Sequence, residues 1–267
     1  DMTNRVAIIT GGSRGIGYAF AQALLGAGHS VMLTAARDAV ALETAQETLR
    51  AQFGTEQVAT VLADAGKADD AQRTVDATLA QCGRLDILIN HAGRGPGELS
   101  QTFHQTPQKF WEHDPDGWAE IIRSNVNGPF VMARAAAPHM IAQDWGRIIG
   151  ISTSRVTMVR PGFAPYGPSK AALDTMTRIF SEELRGTGVT ANILAPGGAT
   201  DTPVIPAEGR SGHYLDRWPA DGMKEAVLWL ISEAADDVTA ARFIGKLWDP
   251  NDPDKAREDR GAPPQIL

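Results

Sequence analysis

Thr10-Gly11-Gly12-Ser13-Arg14-Gly15-Ile16-Gly17 follows the short apolar run Val6-Ala7-Ile8-Ile9, and Ile16, Phe20 and Leu24 then repeat at helical spacing. A strand, a glycine-rich turn and a helix in that order bring backbone amides to where a pyrophosphate can approach the positive end of the helix. Gly11, Ser13, Arg14, Gly15, Ile16 and Gly17 are the candidate contacts. A glycine cluster alone also makes a plain tight turn, so its meaning depends on its surroundings. Outward from it, runs rich in Val, Ile and Leu recur at 5–10, 30–35, 57–62, 85–89, 146–151, 188–194 and 243–248. Helical patterns fill 15–27, 38–53, 67–82, 117–142, 166–186 and 222–232.

This alternation specifies an α/β fold, a Rossmann-type doubly wound parallel sheet of about seven strands with helices on both faces, and puts the glycine turn in its first βα unit. The 267 residues fit a single dinucleotide-binding domain spanning 1–267. Hydrophobic residues at 43% and charged residues at 21% are ordinary for a globular chain. A net charge of -7 argues against nucleic acid or an anionic membrane as partner and leaves a small molecule as the expected one. Cys82 is the only cysteine, which excludes an intrachain disulfide, and no His/Cys cluster has metal-ligand spacing. With no apolar stretch of spanning length and no secretory pattern ahead of Val6, the expected location is the cytoplasm.

Two long connections, 94–116 and 197–220, follow the fourth and sixth strands, at the carboxyl edge where open α/β sheets bind ligands; they are the expected substrate loops. Aromatic residues collect in or beside them, namely Phe103, Phe110, Trp111, Trp118, Phe163, Tyr214 and Trp218, which suits an apolar substrate or equally a loop core or subunit contacts. The choice of nucleotide is written at the end of the second strand, Val31-Met32-Leu33-Thr34-Ala35-Ala36-Arg37, whose tip carries no carboxylate. A carboxylate there binds a ribose 2'-hydroxyl and repels a 2'-phosphate, whereas Arg14 and Arg37 could clamp the phosphate, so NADP is expected over NAD. Asp38 would reverse this if it reached the ribose diol. Asp64, after the third strand, either accepts from the adenine amino group or caps the next helix.

Tyr166 and Lys170 stand four residues apart, on one face of a helix, with Ser152-Thr153-Ser154 about a dozen residues upstream. An ammonium about 4 Å from a phenol, at an effective dielectric of ~20, favours the phenolate by roughly 4 kcal/mol and could bring the pKa from ~10 to roughly 7. The trio has the makings of a proton-transfer site.

Taken together, residues 5 to 248 resemble the short-chain dehydrogenase/reductase family. The glycine turn matches its cofactor loop, and Asn90-His91-Ala92-Gly93 resembles its strand-four Asn-Asn-Ala-Gly, with His91 as a departure. Asn125 falls at its catalytic asparagine, Tyr166 and Lys170 at its Tyr-x-x-x-Lys, and Pro196-Gly197 at its turn after strand six. The resemblance implies hydride transfer between NADP(H) and a carbonyl compound or secondary alcohol, with Tyr166 as general acid/base and Lys170 on the nicotinamide ribose. It also implies Asn90, Ala92, Gly93, Pro196 and Gly197 at the cofactor, and Thr202 on the carboxamide with Thr200 as its rival. A homotetramer or homodimer packed through the helices holding Asn125 and Tyr166 is implied as well. The family's serine precedes the tyrosine by thirteen residues, a position held here by Thr153; Ser154 or Ser152 serves only if the loop differs by one residue. A contrasting reading is a catalytically idle nucleotide-binding scaffold or sensor with the same fold.

Overall fold

In a computed structural model, residues 4–100, 102–103, 106–198, 200 and 218–258 are described. Seven strands form one parallel sheet: β1 Val6–Ile9, β2 Ser30–Ala35, β3 Val58–Leu62, β4 Ile87–Asn90, β5 Gly146–Ile151, β6 Val189–Ala195 and β7 Arg242–Ile244. Their order is β3-β2-β1-β4-β5-β6-β7, each neighbouring pair in parallel register. The order reverses between β1 and β4, which makes the crevice beyond their carboxyl ends the topological switch point.

The helices are α1 Gly15–Gly26, α2 Ala39–Phe53, α3 Ala68–Cys82, α4 Pro115–Ile122, α5 Gly128–Ala142, the short α6 Arg155–Met158, α7 Tyr166–Glu183 and α8 Lys224–Leu230. Strand residues alternate between two buried layers. Ala7, Ile9, Val31, Leu33, Ile87 and Ile89 pack with Phe20, Leu24, Leu49 and Val227 from α1, α2 and α8. Ile8, Met32, Leu88 and Ile148 pack on the opposite side with Val75, Met132, Ala136 and Met140 from α3 and α5. Because both faces are covered, the strands read as continuous apolar runs rather than as alternating ones.

Three expectations shift. The helix expected over 117–142 is two helices, α4 and α5, joined by a π turn at Arg123–Asn127. The seventh strand stops at Ile244 instead of running to 248, and Gly245–Leu247 turns as a 3-10 helix. The helix expected over 166–186 ends at Glu183, with Leu173, Thr177 and Leu184 buried and Met176 and Phe180 only half-buried. Most of the expected loop 197–220, including Thr202 and Tyr214, lies outside the described residues. Among the described residues no helix is long and apolar enough to cross a membrane, and no cluster of His, Cys, Asp or Glu could hold a metal.

Candidate active site

The first turn of α1 begins at Arg14 with no side-chain cap and no acidic residue, which leaves its amides and the positive helix end free for an anion. Gly11 takes a φ of 67°, in the left-handed region that favours glycine. A Cβ at Gly17 would come within 2.6 Å of Gly11 O, so only glycine lets the helix approach this closely. Thr10 ties this loop to the one after β4: its Oγ1 accepts from His91 N at 3.1 Å and Ala92 N at 3.0 Å. His91 Nδ1 lies 3.2 Å from Thr10 O and 3.1 Å from Gly11 O. Burial, and to a lesser degree the charge of Lys170, lowers the His91 pKa to about 4, so the ring is neutral and its Nδ1–H donates to these carbonyls. Asn90 is buried, with Nδ2 donating to Pro129 O at 3.4 Å and Oδ1 unpartnered. An uncapped helix start, a close-packed glycine and a loop seam with carbonyls already satisfied fit a dinucleotide phosphate.

Beyond the ends of β2 and β3 lies a network of ion pairs. Arg37, just past β2, is exposed and lies 3.4 Å from Glu120 of α4, which also pairs with Arg123 at 2.9 Å. Arg14 lies 4.0 Å from Asp38. The Asp38 carboxylate accepts from Ala41 N at 2.9 Å, which makes Asp38 the N-cap of α2. Asp64 does not cap α3, whose N-cap is Lys67. Instead its carboxylate accepts from Gly66 N at 3.0 Å and pairs with Arg123 at 2.9 Å. Burial alone would raise the Asp64 pKa, but the bonds from Arg123 and Gly66 hold it below the ordinary carboxylate value.

At the other end of the crevice, Tyr166 is the first residue of α7 and Lys170 lies one turn on, 6% exposed. The three hydroxyls after β5 have separate roles. The Thr153 side chain acts on Tyr166, favouring the phenolate. Ser154 caps α6, accepting from Thr157 N at 3.1 Å. Ser152 is buried with its Oγ unpartnered. Lys170 Nζ donates to Ile151 O at 2.8 Å and stands 5.9 Å from the centre of the Tyr166 ring. Burial lowers the Lys170 pKa to about 8, against an opposing pull from Asp174. The sequence led to a phenol brought down by this ammonium; here burial raises the Tyr166 pKa and the Thr153 side chain lowers it in part.

Asn125 sits inside the π turn, 1% exposed. Its Oδ1 accepts from Arg94 N at 2.7 Å, and its Nδ2 donates to Arg94 O and Ser169 Oγ, both at 2.9 Å. Asn125 therefore pins the loop after β4 to α7. A Cβ at Gly93 would lie 3.1 Å from Asn125 Oδ1 and 3.6 Å from Lys170 Nζ, which marks where these groups converge. Past β6, Pro196 O accepts from Lys246 N at 3.0 Å and Gly197 takes a φ of 88°. Thr200, the rival of Thr202, is buried and forms a parallel bridge with Trp218. Phe163 stacks edge-on between Phe103 and Tyr166, at 5.5 and 6.4 Å, and roofs the phenol. Phe110 and Trp111 contact each other but stay mostly exposed.

Two participants escaped the sequence reading. Ser169 links Asn125 to Tyr166, donating to Tyr166 O at 2.6 Å, and Asp174 acts on Lys170 from one turn further along α7. Their i, i+3 and i, i+4 spacing from Tyr166 and Lys170 was the available signal.

A family model described as short chain dehydrogenase matches residues 5–210. The chain is 33% identical to the 2-(R)-hydroxypropyl-CoM dehydrogenase of Xanthobacter autotrophicus over 253 residues, covering 90% of this chain and 96% of that protein. It is 33% identical to a 3-oxoacyl-[acyl-carrier-protein] reductase of Synechocystis over 196 residues, 73% of this chain and 74% of the other. Among solved structures, a gluconate 5-dehydrogenase from Burkholderia cenocepacia in complex with NADP and tartrate superposes with a TM-score of 0.79 at 28% identity, covering 94% of this chain and 95% of that one.

Proposed function

The chain belongs to the short-chain dehydrogenase family, and from that premise we propose an oxidoreductase that moves a hydride between NADP(H) and a ketone or secondary alcohol, with Tyr166 as general acid/base. The observation that carries this reading is the convergence of Tyr166 and Lys170, whose buried Nζ is held on Ile151 O at 2.8 Å and stands 5.9 Å from the centre of the phenol ring, with the Thr153 side chain acting on the same phenol. The substrate class is supported by the relatives' names, since hydroxypropyl, 3-oxoacyl and gluconate-5 chemistry each concerns a secondary alcohol or its ketone.

The bound dinucleotide supplies or accepts the hydride. The glycine turn, Gly11 and Ser13 through Gly17, would hold its pyrophosphate, Arg14 and Arg37 its 2'-phosphate, and Asp64 its adenine. Asn90, Ala92, Gly93, Pro196 and Gly197 line its path, with Thr202 or Thr200 on the carboxamide. Thr153 Oγ1 hydrogen-bonds the substrate oxygen, and Tyr166 gives it a proton in reduction or takes one in oxidation. Lys170 binds the ribose hydroxyls, and Asn125 holds the floor on which these groups meet. A raised phenol pKa keeps Tyr166 protonated at neutral pH, as reduction requires. The reading extends to a single domain over 1–267 in the cytoplasm. It includes a homodimer or homotetramer, for which Phe130 and Ile141 on α5 and Ile179 on α7 offer exposed apolar contacts.

NADPH absorbance followed against a panel of ketones and aldehydes tests the activity. We expect turnover with NADPH at least about tenfold more efficient than with NADH, and Arg37→Ala to remove most of that margin by deleting a charge-assisted contact. Tight NADPH binding with no turnover on any substrate would favour an idle scaffold. Equal use of NADH would sink the nucleotide assignment.

The pH profile gives a second test. Lys170 is an ammonium below about pH 8 and loses that charge above it. Asp174 and Tyr166 on its own helix, and His91 across from it, are the titratable neighbours. We expect kcat/KM for NADPH, which reports the free enzyme, to fall with unit slope as pH rises through about 8. A profile level to pH ~10, the ordinary lysine range, would show that the charge on Lys170 is not needed.

A further inference from the structure

Arg242 is a charged residue on β7, 5% exposed, and no part of the mechanism above uses it. Its three donor groups reach three different parts of the chain. Nε donates to Asp174 Oδ2 at 2.8 Å, Nη1 to the Glu258 carboxylate, and Nη2 to the carbonyl oxygen of Thr153. Asp174 is the residue whose charge acts on Lys170. Glu258 comes from the C-terminal segment, which runs back along β7: Phe243 bridges Arg257 in antiparallel fashion, and Glu258 N donates to Arg242 O at 2.8 Å. Arg155, just beyond Thr153, lies 3.7 Å from the same carboxylate.

From this convergence we propose that Arg242 is a positioning residue for the reacting hydroxyls, fixing the peptide of Thr153 against α7, and that Glu258 locks it in place from the C-terminal segment. The inference rests on the function proposed above. Ser152 N makes the last bond of β5 to β6, to Leu194 O at 3.0 Å, so Thr153 is the first residue past that ladder. Without a further anchor its peptide could rotate and carry the hydroxyl off the line between Tyr166 and the substrate. Arg242 supplies that anchor, and its planar fork fixes direction as well as distance. A buried guanidinium is an expensive way to fill an edge-strand position that an apolar side chain would fill without desolvating a charge. Two of the groups it holds, the Thr153 carbonyl and the Asp174 carboxylate that acts on Lys170, adjoin the reacting centre, which points to geometry rather than stability.

The test uses the full chain with Arg242→Ala, Arg242→Lys, Glu258→Gln and Tyr166→Phe. It measures kcat with a ketone, NADPH affinity by fluorescence, and kcat with added guanidinium at millimolar concentration. We expect Arg242→Ala to lower kcat on the order of 10- to 100-fold, the scale of a misplacement of about 1 Å, with NADPH affinity held within about twofold. Guanidinium should restore at least part of that kcat, Arg242→Lys should fall between, and Glu258→Gln should lose roughly threefold or more. Unchanged kcat in Arg242→Ala, or a loss of kcat and NADPH binding together that guanidinium does not relieve, overturns the proposal. Should Arg242→Ala fail to fold, full kcat in both Arg242→Lys and Glu258→Gln overturns it. An active Tyr166→Phe defeats the underlying function instead; an inactive Tyr166→Phe beside an unimpaired Arg242→Ala defeats only this inference.

Discussion

Tyr166→Phe is expected to lower kcat by roughly a thousandfold, the middle of the range for removing a positioned general acid, with NADPH affinity unchanged within about twofold. The ring and its edge contact with Phe163 survive the change, so the pocket keeps its shape. Only the hydroxyl leaves, and with it the proton for the substrate oxygen. The variant also removes the group on which the Thr153 side chain acts. Rates from stopped-flow mixing, with binding measured separately, separate the two effects. A variant retaining more than about a tenth of the rate would mean that the proton comes from elsewhere, such as solvent.

Thr153→Ala and Ser154→Ala are expected to part company. The sequence left either hydroxyl available, but in the structure the Thr153 side chain acts on Tyr166, while Ser154 is committed to the start of α6. Thr153→Ala should cost roughly 100-fold in kcat, or ~2.7 kcal/mol of transition-state stabilisation. Ser154→Ala should leave kcat within a few-fold and lower unfolding stability by about 1 kcal/mol, the usual cost of a lost cap. The opposite pattern, with Thr153→Ala near normal and Ser154→Ala inactive, would move the reacting hydroxyl by one residue.

Much of the fold was legible because its strands are buried on both faces and interrupted by glycine turns. Periodicity and punctuation agree there, as around Val6–Ile9 and Gly11–Gly17. The break at Arg123–Asn127 was not legible. Its residues keep helical composition, and an i→i+5 turn leaves no sequence mark comparable to proline. The candidate site was readable as far as spacing reaches. Tyr166 and Lys170 share a face because they are four apart on α7. What each does to the other's proton was beyond spacing, since it depends on burial: Lys170 reached the Ile151 carbonyl, and the phenol was pushed up rather than down. Arg242 was unreadable for a related reason. Asp174, Thr153 and Glu258 are brought to it by α7, the end of β5 and the returning C-terminal segment, at separations that no local pattern encodes.

The π turn at Arg123–Asn127 also acts as a phase slip. One extra residue in a helical turn advances everything after it by about 100° around the axis. Before the slip, α4 turns Glu120 toward Arg37 and Arg123; after it, α5 turns Met132, Ala136 and Met140 into the layer beneath the sheet. Asn125 sits at the slip itself, where its amide reaches both Arg94 and Ser169. One continuous stretch of chain can thus face two directions without a loop, and its two halves are geared together through a single side chain at the centre of the site.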